Sequence, residues 1–269
     1  MERLMVLKLA ALECEAEALF NGIPLARVDA GRPRAIVPVH EYAIAGANRL
    51  ELVIWPRPAS EAGKPAPPPE PQVSNGQRLA RAAILLPRMG NPIDESSART
   101  LAELQWAPPQ GTRYEAPLSL SHEVALPVSF PRWRWMDAPP LELRPELSAL
   151  ALGFVQTLAE DLARGETSRF LAATRLRTEE LATAYQCRPE EETQRLRDHL
   201  LALHTAGSLQ FQALAAEAFS LRPIAGSRLF ECLDAEGLPA LRTQPDEQGH
   251  TLALPLRITV VDGKVYVLR

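Results

Sequence analysis

Hydrophobic positions along this chain change their spacing near residue 145. Before that point the apolar residues come in short runs, or alternate with polar ones, and prolines separate the runs. After it they recur every three or four residues, and then return to strand-like spacing. Of the 25 prolines, 20 lie in residues 1–145, and only Pro189 interrupts 146–222. A proline cannot donate to a sheet ladder or sit inside a helix, so this distribution predicts two regions of different class.

In the first region the runs 4–9, 15–20, 23–28 and 35–39 read as strands. Asn21-Gly22 stands between the second and third, and a two-residue loop of this composition predicts a hairpin because both residues tolerate positive φ. Asp29-Ala30-Gly31 marks another turn. At 50–55, Leu50, Leu52 and Ile54 fall on one side, with Glu51, Val53 and Trp55 on the other. Strand-like text resumes at 79–86 and 119–128. Between these, residues 56–71 hold seven prolines in sixteen positions, which predicts an extended surface loop within the first domain. The polar stretch 90–97 reads as an exposed loop.

From Pro145 a helical stripe runs through Leu147, Leu150, Ala151, Phe154, Val155, Leu158 and Leu162, and Gly165 suits its C-terminal end. Two shorter helices are expected over 167–176 and 178–186. Pro189, followed by Glu190, Glu191 and Glu192, predicts a further helix start, since acids suit the positive N-terminal end. Strands are then expected at 209–215, 217–223, 228–233, 252–261 and 264–268, with Asp262-Gly263 as a second hairpin turn. The expected architecture is therefore an all-β sandwich over 1–144, followed over 145–269 by an α+β domain. In the second domain helices would pack on a curved antiparallel sheet.

Two resemblances accompany this pattern. Asn21-Gly22, Gly46, Asn48 and Leu50, within "ALFNGIPL" and "IVPVHEYAIAGANRLELVI", resemble the turn and strand positions of galactose-binding-like jelly-roll sandwiches. These positions are structural in that family, so the resemblance implies a fold and no binding site. The second region, with "LARGE", "SRLFECLDAEGLP" and "ITVVDGKVYVLR", resembles nuclear-transport-factor-two-like and cystatin-like cones. That fold includes enzymes, binders and scaffolds, so it does not choose between them.

Charge narrows the partners. Residues 1–145 carry 16 basic and 16 acidic groups, and residues 146–269 carry 13 and 17. Neither half has the basic excess of a nucleic-acid binder, and no polybasic patch addresses anionic lipid. Lys8 breaks the apolar run of MERLMVLKLAALEC, so no export signal or membrane span is expected. Cys14, Cys187 and Cys232 are too far apart for a zinc motif and odd in number, which suits reduced thiols in a cytoplasmic protein. Arginine greatly outnumbers lysine, consistent with a GC-rich bacterial genome.

Candidate chemistry is sparse. No phosphate loop, dinucleotide fingerprint, nucleophile elbow or zincin pair is present, and neither a cofactor nor a metal is implied. His199 and His204 stand about 140° apart around a helix axis and cannot share a metal. Ser121-His122-Glu123 alternates faces on a strand and is no triad. Within a cone pocket, Asp161, Tyr185, His199 and Glu231 would be the acid–base candidates. The segment Phe130-Pro-Arg-Trp-Arg-Trp-Met136 carries the candidate binding residues. Extended, it places Trp133 and Trp135 on one face and Arg132 and Arg134 on the other. Exposed, these would be an aromatic platform; buried, a plug between domains. The expected role is non-catalytic binding of another protein, of adaptor or immunity type. The alternatives are a small-molecule enzyme or ligand binder using the C-terminal pocket, and carbohydrate binding by the sandwich through Trp133 or Trp106.

Overall fold

The computed structural model describes residues 4–55, 72–74, 76–87, 98–127 and 130–269. The proline-rich segment 56–71 and the polar stretch 90–97 lie outside the described residues. Antiparallel sheets make up the N-terminal part, and three helices precede a further sheet in the C-terminal part, so the chain is an α+β protein.

The N-terminal strands are β1 (Val6–Leu12), β2 (Glu15–Phe20), β3 (Ile23–Val28), β4 (Arg34–Pro38), β5 (Ala47–Trp55), β6 (Gln72–Val73), β7 (Leu79–Leu86), β8 (Arg99–Trp106), β9 (Arg113–Tyr114) and β10 (Leu118–Ala125). Two four-stranded sheets, ordered β4-β1-β7-β8 and β10-β5-β2-β3, are accompanied by the short pair β6-β9. Strand alternation decides what each sheet buries. Leu7 and Leu9 of β1, Ala82 and Ile84 of β7, Ala18 and Phe20 of β2, and Leu50, Leu52 and Ile54 of β5 all belong to one apolar cluster. In strand β8, Ala102, Leu104 and Trp106 alternate with Glu103 and Gln105. The strand lies at a sheet edge, with a register shift opposite Ile84/Leu85, so its pattern is slipped by one residue partway along.

The hairpin at Asn21-Gly22 closes as its composition predicts, with φ of 54° and 74° and Phe20 opposite Ile23. Its asparagine also has a tertiary role. The Asn21 Nδ2 donates to the Tyr42 carbonyl at 2.8 Å and to Asn48 Oδ1 at 2.9 Å, and Asn21 Oδ1 accepts the Arg49 N–H at 2.9 Å. Asn48 is buried, and its amide spans the turn before β5 by donating to the carbonyls of Ile44 and Gly46 and accepting the Ile44 N–H. Asn21 and Asn48 thus brace one loop against one hairpin.

In the C-terminal part α1 (Pro145–Ala163), α2 (Ser168–Tyr185) and α3 (Pro189–Thr205) precede β11 (Ser220–Ile224), β12 (Leu229–Leu233), β13 (Arg257–Val261) and β14 (Lys264–Val267), which pair antiparallel in chain order. Helix α2 is continuous where two shorter helices are expected. Thr178 and Thr174 return their hydroxyls to the carbonyls of Thr174 and Phe170, so these polar residues are buried without ending the helix. Segment 209–215 forms no strand. It meets residues 242–244 through a single bridge, Phe211 to Thr243, and a few backbone bonds. Gly165 takes φ +78° at the end of α1, where a Cβ would lie 2.7 Å from the His204 ring. Ala151, Val155, Leu158 and Leu162 of α1, Phe170 of α2 and Leu200 of α3 share one core with Leu221, Phe230, Cys232, Ile258 and Val267 of the sheet.

By contacts the chain divides into residues 1–132 and 133–269. The change in hydrophobic period at 145 and the change in contacts at 133 do not coincide, because residues 133–141 are hydrogen-bonded to the second unit before the helices begin.

Asn48→Ala is expected to lower unfolding stability by about 2 kcal/mol, since it removes four hydrogen bonds of a buried amide to the partly buried Asn21 and Ile44 and to Gly46. Urea denaturation of the variant beside the wild type measures this; an unchanged midpoint would contradict the bracing role.

Candidate functional site

The Trp-Arg-Trp segment is placed by one buried carboxylate. Glu180 on α2 accepts the backbone N–H of Arg134 at Oε1, 2.6 Å away, and its Oε2 closes an ion pair with the Arg269 guanidinium. Glu180 and Arg269 are 6% and 2% exposed, so this is a desolvated pair. The Arg269 guanidinium also lies over the Trp133 ring, 5.5 Å from its centroid. Further along, Arg228 donates to the Ala138 carbonyl and the Leu141 N–H donates to Ser227. The turn 225–228 that supplies these contacts holds Ala225 and Ser227 at φ 50° and 60°, a conformation that costs free energy unless its surroundings impose it.

Trp133 and Trp135 are both buried, at 1% and 5% exposure, and Arg132 and Arg134 face solvent. The tryptophans are therefore anchors under the segment and form no aromatic platform. Arg134 reaches along the outside of α2, pairing with Glu179 at 2.8 Å and donating to the Leu176 carbonyl at 3.3 Å. Trp106 is also buried, edge-on to Tyr114 with centroids 5.2 Å apart.

Beside Arg134 lies a groove of about 300 Å³. Its walls are Ala138 and Pro139 of the pinned segment, Leu176 of α2, and Val261, Tyr266 and Leu268 of the last hairpin, with Asp137 and Arg134 at its margin. Thr259 lines it as well. Thr259 stands opposite Tyr266 in the ladder and two residues from Val261, while Ile258 and Val267 on the alternate positions enter the helical core. The residue is 2% exposed and its hydroxyl has no hydrogen-bond partner. A larger groove of about 720 Å³ runs between Leu141, Leu147, Leu150 and Val260, but its polar residues Glu142, Arg144 and Glu146 are exposed.

The acid–base candidates do not gather. Asp161 is buried and held between Arg164 and Arg169. Glu231 lies between Arg257 at 2.9 Å and Arg222 at 3.7 Å. His199 is exposed on α3, Tyr185 is half-buried near the end of α2, and Ser121, His122 and Glu123 are all exposed. Among the described residues no group of three or more His, Cys, Asp or Glu side chains could hold a metal ion, and no helix is long and apolar enough to cross a membrane. The three cysteines are free. Burial raises the Cys14 and Cys187 thiols above their usual range and pushes Cys232 up to about 12. Sequence reasoning found Arg134 but not Glu180, Thr259 or Tyr266. A threonine in a strand and a glutamate in a helix carry no local sign of whom they will meet.

No protein-family model, curated protein or solved structure matches this chain.

Two outcomes are expected. Glu180→Gln leaves the Arg269 charge buried without its counter-charge and lowers stability by about 3–5 kcal/mol; the double variant Glu180→Leu/Arg269→Met recovers part of that loss in chemical denaturation. A raised thiol pKa means less thiolate at any given pH, so Cys232 stays unreactive toward a disulfide reagent at pH 8 in the folded protein and reacts once denaturant is added. Rapid modification of Cys232 in the native protein would contradict its burial.

Proposed function

We propose that this chain is a non-catalytic, cytoplasmic bacterial protein that binds another protein, in an adaptor or immunity-type role. Its N-terminal part is read as a β-sandwich domain and its C-terminal part as an α+β domain with helices on a curved sheet. The observation that carries the binding reading is the groove beside Arg134. It combines apolar walls, charges of both signs at its margin and a backbone held on two sides by hydrogen bonds. Interfaces draw their affinity from such preorganised apolar depressions with a polar rim.

The alternatives have less support. Burial of both Trp133 and Trp106 removes the aromatic surface on which carbohydrate binding depended. An acid–base enzyme would need a poised group in a pocket, and Asp161 and Glu231 are each committed to two arginines.

The test is affinity capture of the tagged protein from the lysate of its own cells, read by mass spectrometry. A parallel bait carries Val261→Asp, a substitution at an exposed position lining the groove. One protein retained near stoichiometry by the wild type and lost from the variant is the expected result. Baits that retain nothing above background would count against protein binding.

A further inference from the structure

A second surface, sharing no residue with the groove beside Arg134, lies along α1 at residues 209–214. Leu209, Phe211 and Ala213 alternate there with Gln210 and Gln212. Leu209 is buried, and Phe211 packs against the C-terminal core. Toward residues 242–244 the segment uses two backbone groups. The Gln212 N–H donates to the Arg242 carbonyl at 2.9 Å, and the Gln210 carbonyl accepts the Gln244 N–H at 2.7 Å. Phe211 stands opposite Thr243 between these two bonds. In an antiparallel pair this pattern turns the N–H and C=O of Phe211, and those of Ala213, to the other side. None of these four groups bonds to a described residue.

We propose that this edge takes up an extended segment of a partner protein, which adds to it as a β-strand. Two features single it out among the edges of the molecule. The first is composition. The edge strands of the three four-stranded sheets each carry a charge or a proline: Pro24 in β3, Pro38 in β4, Glu103 in β8, Glu123 in β10, Pro223 in β11 and Lys264 in β14. Such residues keep foreign strands from pairing with an exposed edge. Residues 209–214, Leu-Gln-Phe-Gln-Ala-Leu, have neither. The second feature is space. A groove of about 380 Å³ separates 210–214 from a face of α1 that carries Val155, Gln156, Ala159, Glu160 and Ala163. The Gln156 amide spans it and donates to the Leu214 carbonyl at 2.9 Å. One and two turns further along the helix, Ala159 and Ala163 are too short to do the same, so the edge at Phe211 and Ala213 stays open.

The open groups select the occupant. Donors and acceptors that repeat every second residue are the complement of an extended backbone, whose residues two apart exchange both bonds with Phe211 and with Ala213. A helix has spent its backbone donors internally and cannot answer them. Side chains at the two bonded positions share the face of Phe211, and the one between them lies beside Gln212. The partner segment therefore reads apolar, polar, apolar.

The probe is the uncharged peptide acetyl-Ser-Val-Thr-Val-Ser-amide, titrated into the ¹⁵N-labelled full chain beside the same peptide N-methylated at both valines. The expected result is that the parent peptide shifts the amides of Phe211, Ala213 and Ala159, and that N-methylation weakens it by about tenfold or more, the factor of the lost hydrogen bonds. Ala213→Pro, which removes one edge donor at a position where sheets tolerate proline, should weaken the parent peptide by a similar factor. Ala159→Arg leaves the edge backbone intact and fills the groove from the helix side, and it should have the same effect. Absence of shifts at 209–214, or equal binding of the parent and N-methylated peptides, would overturn the proposal. So would a dimer in light scattering that Ala213→Pro abolishes, since the edge would then belong to a second copy of this chain. Each of these outcomes is independent of the capture experiment on the groove beside Arg134.

Discussion

The C-terminal part depends on where the Glu180 carboxylate spends its two oxygens. A charge removed from water is tolerated only with a counter-charge and hydrogen bonds, and Glu180 has both in Arg269 and the Arg134 N–H. The first ties the last residue of the last strand region to α2. The second turns the chain before α1 back onto the same helix. Because one group makes both contacts, strand, helix and leading segment are positioned together. Trp133 fills the space beneath, under the Arg269 guanidinium.

The groove follows from that arrangement. Residues 134–139 are held off the outer face of β13 and β14 by partners on either side of it, and α2 closes one flank with Leu176. The face of the sheet turned toward the helices is apolar. The opposite face carries the ladder Arg222–Glu231–Arg257 and, further along, Thr259 and Tyr266. A sheet with one dry and one polar face is the usual outcome for an antiparallel meander. The unusual element is a polar residue buried on that second face without a partner.

Much of the fold was legible from spacing. The alternation at 50–55, the stripe from Ala151 to Leu162 and the helix start at Pro189 all correspond to buried faces or observed boundaries. The misses have a common origin. Helix α2 buries threonines beneath its neighbours without ending, and 209–215 meets its neighbour by one bridge only. Each is a tertiary circumstance that overrides local pattern. The site was half legible: the Trp-Arg-Trp segment was singled out, yet its tryptophans proved to be anchors and only Arg134 reaches the groove.

By itself, the sequence determined the features that need no distant partner. Asn21-Gly22 and Asp262-Gly263 turn because those residues accept positive φ, and Gly165 ends a helix for the same reason. The change of period near 145 follows from proline and apolar spacing alone. Only the tertiary structure decided which side of residues 132–135 is buried, that Glu180 meets Arg134 and Arg269 from 46 and 89 residues away, and that Thr259 lacks a partner. Backbone preference is a property of neighbours in the chain. Desolvation, ion pairing and unmet hydrogen bonds are properties of neighbours in space, and no local pattern encodes them.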